Sequence, residues 1–275
     1  MAMQFDMIKN IAFTFVMALL LVSCSKKEQE ESISDEFLLT SGYKVISLSN
    51  GATITGNVKL DSSDTYLSRL AIQRDQEVCG ESHPNPSGPG NLGGVKGCIV
   101  WLEGVKQGKD FSYDPNPKVD QLGCEFIPHT IIMRKGSSLI VHNSDDALHN
   151  FHVYNEDVSL ANEAQPEGAP PREITSLTKP GIYKAICDVH PWMRGYICVA
   201  EHPYYALTDS SGGFSFSNVP PGTYTLKLWR DNWHVDELKN EKGKITSYKF
   251  QPDYKKEQQV VIEASKESTV VFTLP

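Results

Sequence analysis

Hydrophobic and polar positions alternate over short runs from about residue 50 to the C-terminus. The runs "GATITGNVKL" (51–60) and "CIVWLEGV" (98–105) are rich in β-branched and aromatic residues, and clusters of Gly, Pro, Asn and Asp separate such runs. Residues 204–229 show three strand patterns divided by a Gly-Gly turn and a Pro-Pro-Gly turn. Helical spacing is confined to a short stretch near residues 235–242. The pattern therefore predicts an all-β protein.

The N-terminus has a different pattern. Lys9 is followed by an uninterrupted apolar run at residues 11–23, which has the length of a secretory signal and is too short to span a bilayer comfortably. The run ends at Cys24 in a sequence that resembles the bacterial lipobox, in which the cysteine is diacylated. We therefore expect a signal peptide at 1–23 and a polar tether at 24–49. These features predict an exported protein, lipid-anchored to a bacterial membrane on its periplasmic or outer-membrane face.

The net charge of the chain disfavours one class of partner. The chain has 26 Lys and Arg against 34 Asp and Glu, a formal net charge of −8, and no basic patch is apparent. Because binding to a polyanion requires clustered cations, nucleic acid is not an expected partner.

Cysteine count is informative in an oxidising compartment, where free thiols tend to pair. With Cys24 assigned to lipid, five cysteines remain, which leaves one without a partner: Cys79, Cys98, Cys124, Cys187 and Cys198. If Cys187 binds a metal as thiolate, the other four can form two bridges. The count agrees with a metal site but does not establish one.

The stretch "AICDVHPWMRGYICV" (185–199) places Cys187, His190 and Met193 at equal spacing in one loop between two predicted strands. A thiolate, two imidazoles and a distant thioether form the donor set that suits copper in both of its common oxidation states. His149, which follows a predicted strand and turn, can supply the second imidazole. Without it, the three loop residues would be ordinary core residues more often than ligands.

These residues resemble the cupredoxins, or blue copper proteins, and within them most closely the amicyanins. The likeness covers about residues 118–202 and depends on the Cys-x-x-His-x-x-Met loop, on Asn143 six residues before His149, and on a Pro-Gly-x-Tyr lead-in to the cysteine. It implies one mononuclear type 1 copper site with four ligands: His149, Cys187, His190 and Met193. It further implies that Asn143 braces the cysteine loop.

The function implied by the resemblance is the transfer of single electrons between redox partners, for example a c-type cytochrome or an oxidoreductase. His190 would lie nearer the surface, and Pro191 with Trp192 would form the docking patch. Burial of Trp192 in the core is the equally weighted alternative.

The remainder of the chain, at 50–117 and 203–275, resembles a carboxypeptidase regulatory-like, or transthyretin-like, β-sandwich. The resemblance implies a Greek-key cupredoxin sandwich at 118–202, inserted in this second sandwich or lying next to it. Whole chains of this kind are similar to exported proteins labelled plastocyanin-like or methylamine utilisation proteins.

The layout suggests a disulfide pairing. Cys98 and Cys198 lie where the chain crosses between the two sandwiches, so a bridge there would join them. Cys79 and Cys124 would form the second bridge, although four cysteines allow three pairings.

The sequence gives less support to other functions for the loop at residues 187–193. A thioether is a poor zinc ligand, so Met193 disfavours zinc. A nucleophilic Cys187 would need an unmetallated thiolate and oxyanion-stabilising groups, for which there is no motif, so an enzyme is not expected. A copper carrier or sensor, or a structural lipoprotein without electron transfer, is the alternative function. His152 and His129 are interpreted as structural.

Overall fold

The computed structural model describes residues 42–61, 65–90 and 93–275, which belong to one compact unit. The predicted signal peptide, Cys24 and most of the predicted tether lie outside these residues. Over the described ranges the structure is almost entirely β, as predicted, with a single short helix, α1, at Gln76–Cys79. No helix in this part of the chain is long and apolar enough to cross a membrane.

The strands fall into three groups along the chain. Those before residue 118 are β1 (Lys44–Val45), β2 (Ala52–Leu60), β3 (Arg69–Ala71), β4 (Ser82–Pro84), β5 (Ile99–Glu103) and β6 (Gln107–Gly108). The middle group is β7 (Lys118–Gln121), β8 (Phe126–Ile127), β9 (Thr130–Arg134), β10 (Leu139–Asn143), β11 (His149–Asn155), β12 (Val158–Gln165), β13 (Arg172–Ile174), β14 (Gly181–Ile186) and β15 (Arg194–Ala200). The last group is β16 (Tyr205–Leu207), β17 (Gly213–Val219), β18 (Gly222–Arg230), β19 (Val235–Lys239), β20 (Ile245–Phe250), β21 (Tyr254–Ile262) and β22 (Glu267–Leu274).

Strands β7 to β15 form what we call the central sandwich. One sheet has the order β13-β10-β7-β8 and the other the order β12-β11-β14-β15-β9. Both sheets contribute buried side chains to one hydrophobic cluster, including Val141 of β10, Phe151 of β11 and Ile197 of β15. The alternation that predicted these strands places their apolar residues on the shared inner face.

A second pair of sheets, here the flanking sandwich, has the orders β16-β5-β18-β21 and β17-β2-β22. Strands β2 and β5 precede the central sandwich in the chain, yet they pair with β22 and β18, which follow it. Ile54, Leu226 and Phe272 belong to its separate hydrophobic cluster. This pairing is the arrangement that an inserted domain requires; the boundaries at 117/118 and 202/203 remain a prediction.

Strand β15 connects the two sandwiches, and all of its residues are buried. Ile197 and Val199 belong to the cluster of the central sandwich. Tyr196 and Cys198 face the other way and pack with Ile99 and Trp229 of the flanking sandwich. Because successive side chains point to opposite faces of a strand, β15 is covered on both sides.

The disulfides differ from the predicted pairing at one of two places. Cys79 and Cys124 are bonded, as the layout suggested. Cys98 and Cys198 are both buried free thiols, so the predicted bridge between them is wrong. Cys98 faces the flanking core, whereas its neighbour Ile99 shares the cluster that contains Cys198. The alternation of side chains thus turns Cys98 away from Cys198.

The short helix considered near residues 235–242 is absent. Strands β19 and β20 pair there as an antiparallel hairpin. Asn240 forms the turn, because its side-chain oxygen accepts hydrogen bonds from the backbone N–H groups of Lys242 and Lys244. The local turn chemistry and cross-strand pairing outweigh the weak helical spacing.

Candidate metal centre

Three of the four predicted ligands meet at one end of the central sandwich. The Nδ1 atom of His149 lies 2.8 Å from Nδ1 of His190, and that atom lies 3.7 Å from Sγ of Cys187. One donor atom from each of the three residues lies within 4.8 Å of the others. All three side chains are buried, and both histidines have no exposed surface.

Strand pairing explains why these distant residues converge. Antiparallel pairing sets His152 of β11 opposite Ile186 of β14, so His149 at the start of β11 lies beside the loop that follows β14. That loop is tight: the N–H of Met193 donates to the carbonyl of His190 at 2.9 Å, and the N–H of Cys187 donates to the carbonyl of Met193 at 3.2 Å. Met193 is buried directly before β15.

Both imidazoles have the same arrangement, with Nδ1 facing the cluster and Nε2 held by a carboxylate. Nε2 of His149 lies 2.9 Å from Asp145, and Nε2 of His190 lies 2.8 Å from Asp75. A carboxylate that accepts the outer N–H of a histidine fixes the tautomer and leaves the other nitrogen free to bind a metal. Sequence reasoning missed both aspartates, and only Asp145, four residues before His149, has a local signal.

The disulfide joins the segment that contains Asp75 to the segment that is hydrogen-bonded to Asp145. Asp145 accepts hydrogen bonds from the N–H groups of Gly123 at 2.6 Å and Cys124 at 2.7 Å. Asp75 immediately precedes α1, which ends at Cys79, and Cys79 is bonded to Cys124. The bridge therefore ties both groups to the same side of the candidate site.

Asparagine side chains brace the two ligand loops, but not as predicted. Asn143 donates to the carbonyls of Ala147 at 2.9 Å and Gln165 at 2.8 Å, so it holds the loop that leads to His149 rather than the cysteine loop. The cysteine loop is braced by Asn150, whose side-chain oxygen accepts from the N–H of Asp188 at 2.7 Å. Asn150 is next to His149 on β11, and the pairing of β11 with β14 brings it to this loop.

The predicted docking patch of Pro191 and Trp192 is not an exposed surface. Trp192 is 1% exposed, and its Nε1–H donates to the carbonyl of Cys124 at 3.1 Å. Its ring lies 4.9 Å from that of His190. His190 itself has no exposed surface, and its Nε2 atom lies against the carboxylate of Asp75, whose side chain is 41% exposed. The core position of Trp192 is thus the correct alternative, and only Pro191 keeps partial exposure.

Burial controls the ionisation of the donors. It raises the pKa of the Cys187 thiol above its usual value, although backbone hydrogen bonds oppose this shift. It lowers the pKa of His190, with the hydrogen bond to Asp75 opposing it. A neutral imidazole can bind a metal through its free nitrogen, and a buried thiol becomes a thiolate when a metal cation replaces its proton.

The donor set fits a soft metal ion. One thiol, two imidazole Nδ1 atoms and a buried thioether next in the same loop are the groups that copper prefers in a trigonal site with a weak axial donor. A second group, Cys124 with Asp145 and His149, also lies close together. Cys124 is in the disulfide and cannot offer a thiolate, so this second group is not a metal site.

Other histidines lie apart from the donors. His152 contacts Asp188 at 2.8 Å and Ser159 at 2.9 Å on the opposite face of β11. His129 contacts Asp231 at 2.9 Å. Both agree with the structural roles expected of them.

Comparisons with known proteins give partial matches. Residues 179–270 match a family model described as domain II of polysaccharide lyase family 4. The matched segment crosses the predicted domain boundary at 202/203. The matched family is not the regulatory-like sandwich, and the resemblance to that sandwich remains a prediction. No curated protein matches the chain.

Among solved structures, the chain is similar to cupredoxins over about 30% of its length. They include a purple cupredoxin from Nitrosopumilus maritimus, with 19% identity, a TM-score of 0.28, and coverage of 30% of this chain and 99% of that one. Amicyanin from Paracoccus versutus has 19% identity and a TM-score of 0.28, covering 31% of this chain and 81% of that one. A mutant plastocyanin of fern has 18% identity and a TM-score of 0.27, covering 30% of this chain and 99% of that one.

Proposed function

We propose that this protein is a type 1 copper protein that carries single electrons between redox partners outside the cytoplasm. The observation that supports this most strongly is the convergence of His149, Cys187 and His190 donor atoms in one buried cluster. Met193, in the same loop, supplies the weak axial donor. When bound, copper supplies a one-electron couple between Cu(I) and Cu(II).

The protein's own groups hold this site rigid. Asp145 and Asp75 fix the two imidazoles, Asn150 fixes the cysteine loop, and the surrounding side chains exclude water. A site whose ligands are held in one arrangement changes little between oxidation states. Little reorganisation is therefore needed at each transfer, which favours fast exchange with a partner such as a c-type cytochrome.

We propose a carrier rather than an enzyme because the thiol is poorly suited to nucleophilic attack. Cys187 is buried, and its pKa is raised, whereas a nucleophilic cysteine is partly exposed and has a depressed pKa. The alternative within copper chemistry is a copper carrier or sensor that does not pass electrons.

Cu(II) titration of the purified protein tests the site. We expect an intense visible thiolate-to-copper charge-transfer band that Cys187→Ser abolishes. Cys198→Ser is the matched control, because it also removes a buried free thiol but one in the contact between sandwiches. A colourless copper complex, or an equal band in Cys187→Ser, would contradict the proposal. Reversible reduction by a c-type cytochrome then separates electron transfer from copper storage.

Export and lipid anchoring through Cys24 are part of the proposal. The bond between Cys79 and Cys124 supports an oxidising compartment. Cys24→Ala is expected to move the protein from the membrane fraction to the soluble fraction in the native bacterium. Retention of the variant on the membrane would refute the anchor.

A further inference from the structure

A cleft of about 860 Å³ lies between the central and flanking sandwiches. Strand β15 contributes Arg194 and Tyr196 to its wall, and β18 contributes Lys227, Leu228 and Trp229. Its volume is in the range of small-molecule sites. None of the proposed metal ligands lines it, so a ligand here would occupy a separate site.

Arg194 is the first unusual group in this cleft. It is 7% exposed, and its guanidinium contacts the ring of Tyr196, at 5.1 Å, and the ring of Phe250, at 3.8 Å. Within the described ranges its guanidinium has no hydrogen-bond acceptor and no carboxylate within ion-pair distance, and Nε is buried without a partner. A buried charge is costly unless it is paired.

Arg230 shows that the fold can satisfy a buried arginine. Its guanidinium forms an ion pair with Asp231 and donates to the carbonyls of Lys96 and Ser87, each at 2.9 Å. Arg194 is almost as deeply buried, yet it lines a cleft and its Nε–H has no acceptor among the described residues. This difference indicates that an acceptor from outside the chain completes the site of Arg194.

Tyr196 provides an independent second signal. It is 4% exposed, and its hydroxyl has no hydrogen-bond partner among the described residues. Buried tyrosine hydroxyls usually find a partner. Tyr196 is two residues from Arg194 on the same face of β15, so the two side chains that carry unpaired donors line the same wall of the cleft.

The charges around the cleft favour an anion. Besides Arg194, its lining has four lysines against three acids: Lys184, Lys227, Lys255, Lys256, Glu156, Asp253 and Glu257. Lys227 is paired with Glu257 and with Glu103, which lies outside the lining. A small excess of positive charge remains, in a chain of net charge −8. The carboxylate of Asp253 is close enough to Arg194 for an electrostatic interaction, but it accepts its hydrogen bond from Nε1–H of Trp229, at 3.1 Å.

Aromatic and aliphatic side chains line the rest of the cleft. Trp101, Ile182 and Phe250 are only partly buried, so they offer apolar surface to a ligand. Flat or cyclic groups pack well against such surfaces. An anionic group and a ring in one molecule would match both parts of the lining.

We propose that this cleft binds a ring-bearing carboxylate, whose oxygens accept hydrogen bonds from the Arg194 guanidinium and the Tyr196 hydroxyl. Aromatic acids and sugar acids share this chemistry. The two oxygens of a carboxylate can accept hydrogen bonds from two parallel N–H groups of a guanidinium, so the charge of Arg194 is paired on binding. The proposal is independent of copper.

Isothermal titration of the purified protein with benzoate and with glucuronate tests it, with benzamide and glucose as the uncharged counterparts. We expect at least one acid to bind and its uncharged counterpart not to bind. Arg194→Gln should weaken binding at least tenfold, the loss typical of a hydrogen bond to a charged group. Lys242→Gln, which removes one exposed charge in the β19–β20 turn, should leave it unchanged.

Tyr196→Phe provides a second test of binding, which can be used if Arg194→Gln does not fold. Removing an unpaired buried hydroxyl should leave the unfolding midpoint unchanged or raised, while affinity falls severalfold. Binding of benzoate alone identifies an aromatic acid, and binding of glucuronate alone identifies a sugar acid. Failure of both acids at millimolar concentration, or equal affinity in wild type and Tyr196→Phe, would overturn the proposal.

Discussion

Replacing Asp145 with Asn nearly preserves side-chain volume but removes the charge that holds His149. In the structure Asp145 is 7% exposed, and both of its oxygens accept hydrogen bonds: one from Gly123 N–H, the other from Cys124 N–H and His149 Nε2. An amide has one accepting oxygen, so its NH2 group must face at least one of these donors. Asp145→Asn therefore leaves at least one of these donors without its acceptor, and the N–H of Gly123, in a partly buried bond, loses it at the lowest cost.

The expected loss of stability follows from the number of donors that lose their acceptor. An unpaired buried donor costs about 1–3 kcal/mol, and the N–H of Gly123 is only partly buried, so we expect Asp145→Asn to lower the free energy of unfolding by about 1 kcal/mol. Loss of a carboxylate behind a metal-binding histidine typically weakens metal affinity about 10–100-fold, and burial places Asp145 at the upper end. If Cu(II) loses about ten times more affinity than Cu(I), the reduction potential rises by about 59 mV.

Asp75→Asn makes the corresponding change at His190 in a more exposed setting. The Asp75 side chain is 41% exposed, so solvent screens its interaction. We expect a loss of copper affinity of about tenfold or less and a smaller rise in potential. The specific prediction is that Asp145→Asn changes copper affinity and reduction potential more than Asp75→Asn does.

Competition titration against a copper chelator measures the affinities, and redox titration measures the potentials. Asp146→Asn is the matched control, because it removes the neighbouring carboxylate from an exposed side chain. The reasoning fails if Asp145→Asn binds copper as tightly as Asp146→Asn does, or if its potential falls.

Two further predictions concern stability. The Cys79–Cys124 bridge closes a loop of 45 residues, for which chain entropy gives a stabilisation of about 4 kcal/mol. Cys79→Ser should therefore lower the free energy of unfolding in urea by about that much. A decrease no greater than that of Cys98→Ser would count against this. Burial lowers the pKa of His202 to about 4, so between the unfolded value of 6.5 and pH 4 only the unfolded chain takes up the proton. The contribution of His202 to stability should therefore fall as pH falls through this window, by about 1.4 kcal/mol per pH unit and by about 3 kcal/mol in total. Buried His129, whose pKa is lowered to about 3, adds a fall of the same sign. His202→Asn should reduce the loss of stability between pH 7 and pH 4.5, measured by urea unfolding, by about 1.4 kcal/mol per pH unit below pH 6.5. A loss equal to that of the wild type would contradict the role of His202.

The sequence contained the local part of the candidate site. Cys187, His190 and Met193 lie in one seven-residue loop, so their proximity follows from chain connectivity alone. His149 was found because its strand pattern ends near a turn, and a family resemblance connected the two motifs. The short alternating runs were sufficient to predict an all-β fold, which the structure confirms.

The groups around the ligands could not be found in this way. Asp75 lies 115 residues from His190 and reaches it through a segment that packs on the central sandwich. The same segment covers the surface on which exposure of His190 was expected. Asn143 and Asn150 are both near His149 in sequence, and only the pairing of β11 with β14 decides which of them braces the cysteine loop.

The sequence by itself determined which residues alternate, which residue types can bind copper, and how closely the loop ligands are spaced. The tertiary structure alone decided which face each residue presents and what covers it. Cys98 illustrates the reason: it directly precedes β5, and its thiol faces the flanking core whereas Ile99 faces Cys198, so a shift of one residue would reverse the two. Burial and exposure, and with them the positions of Trp192 and Arg194, result from contacts between segments far apart in the chain.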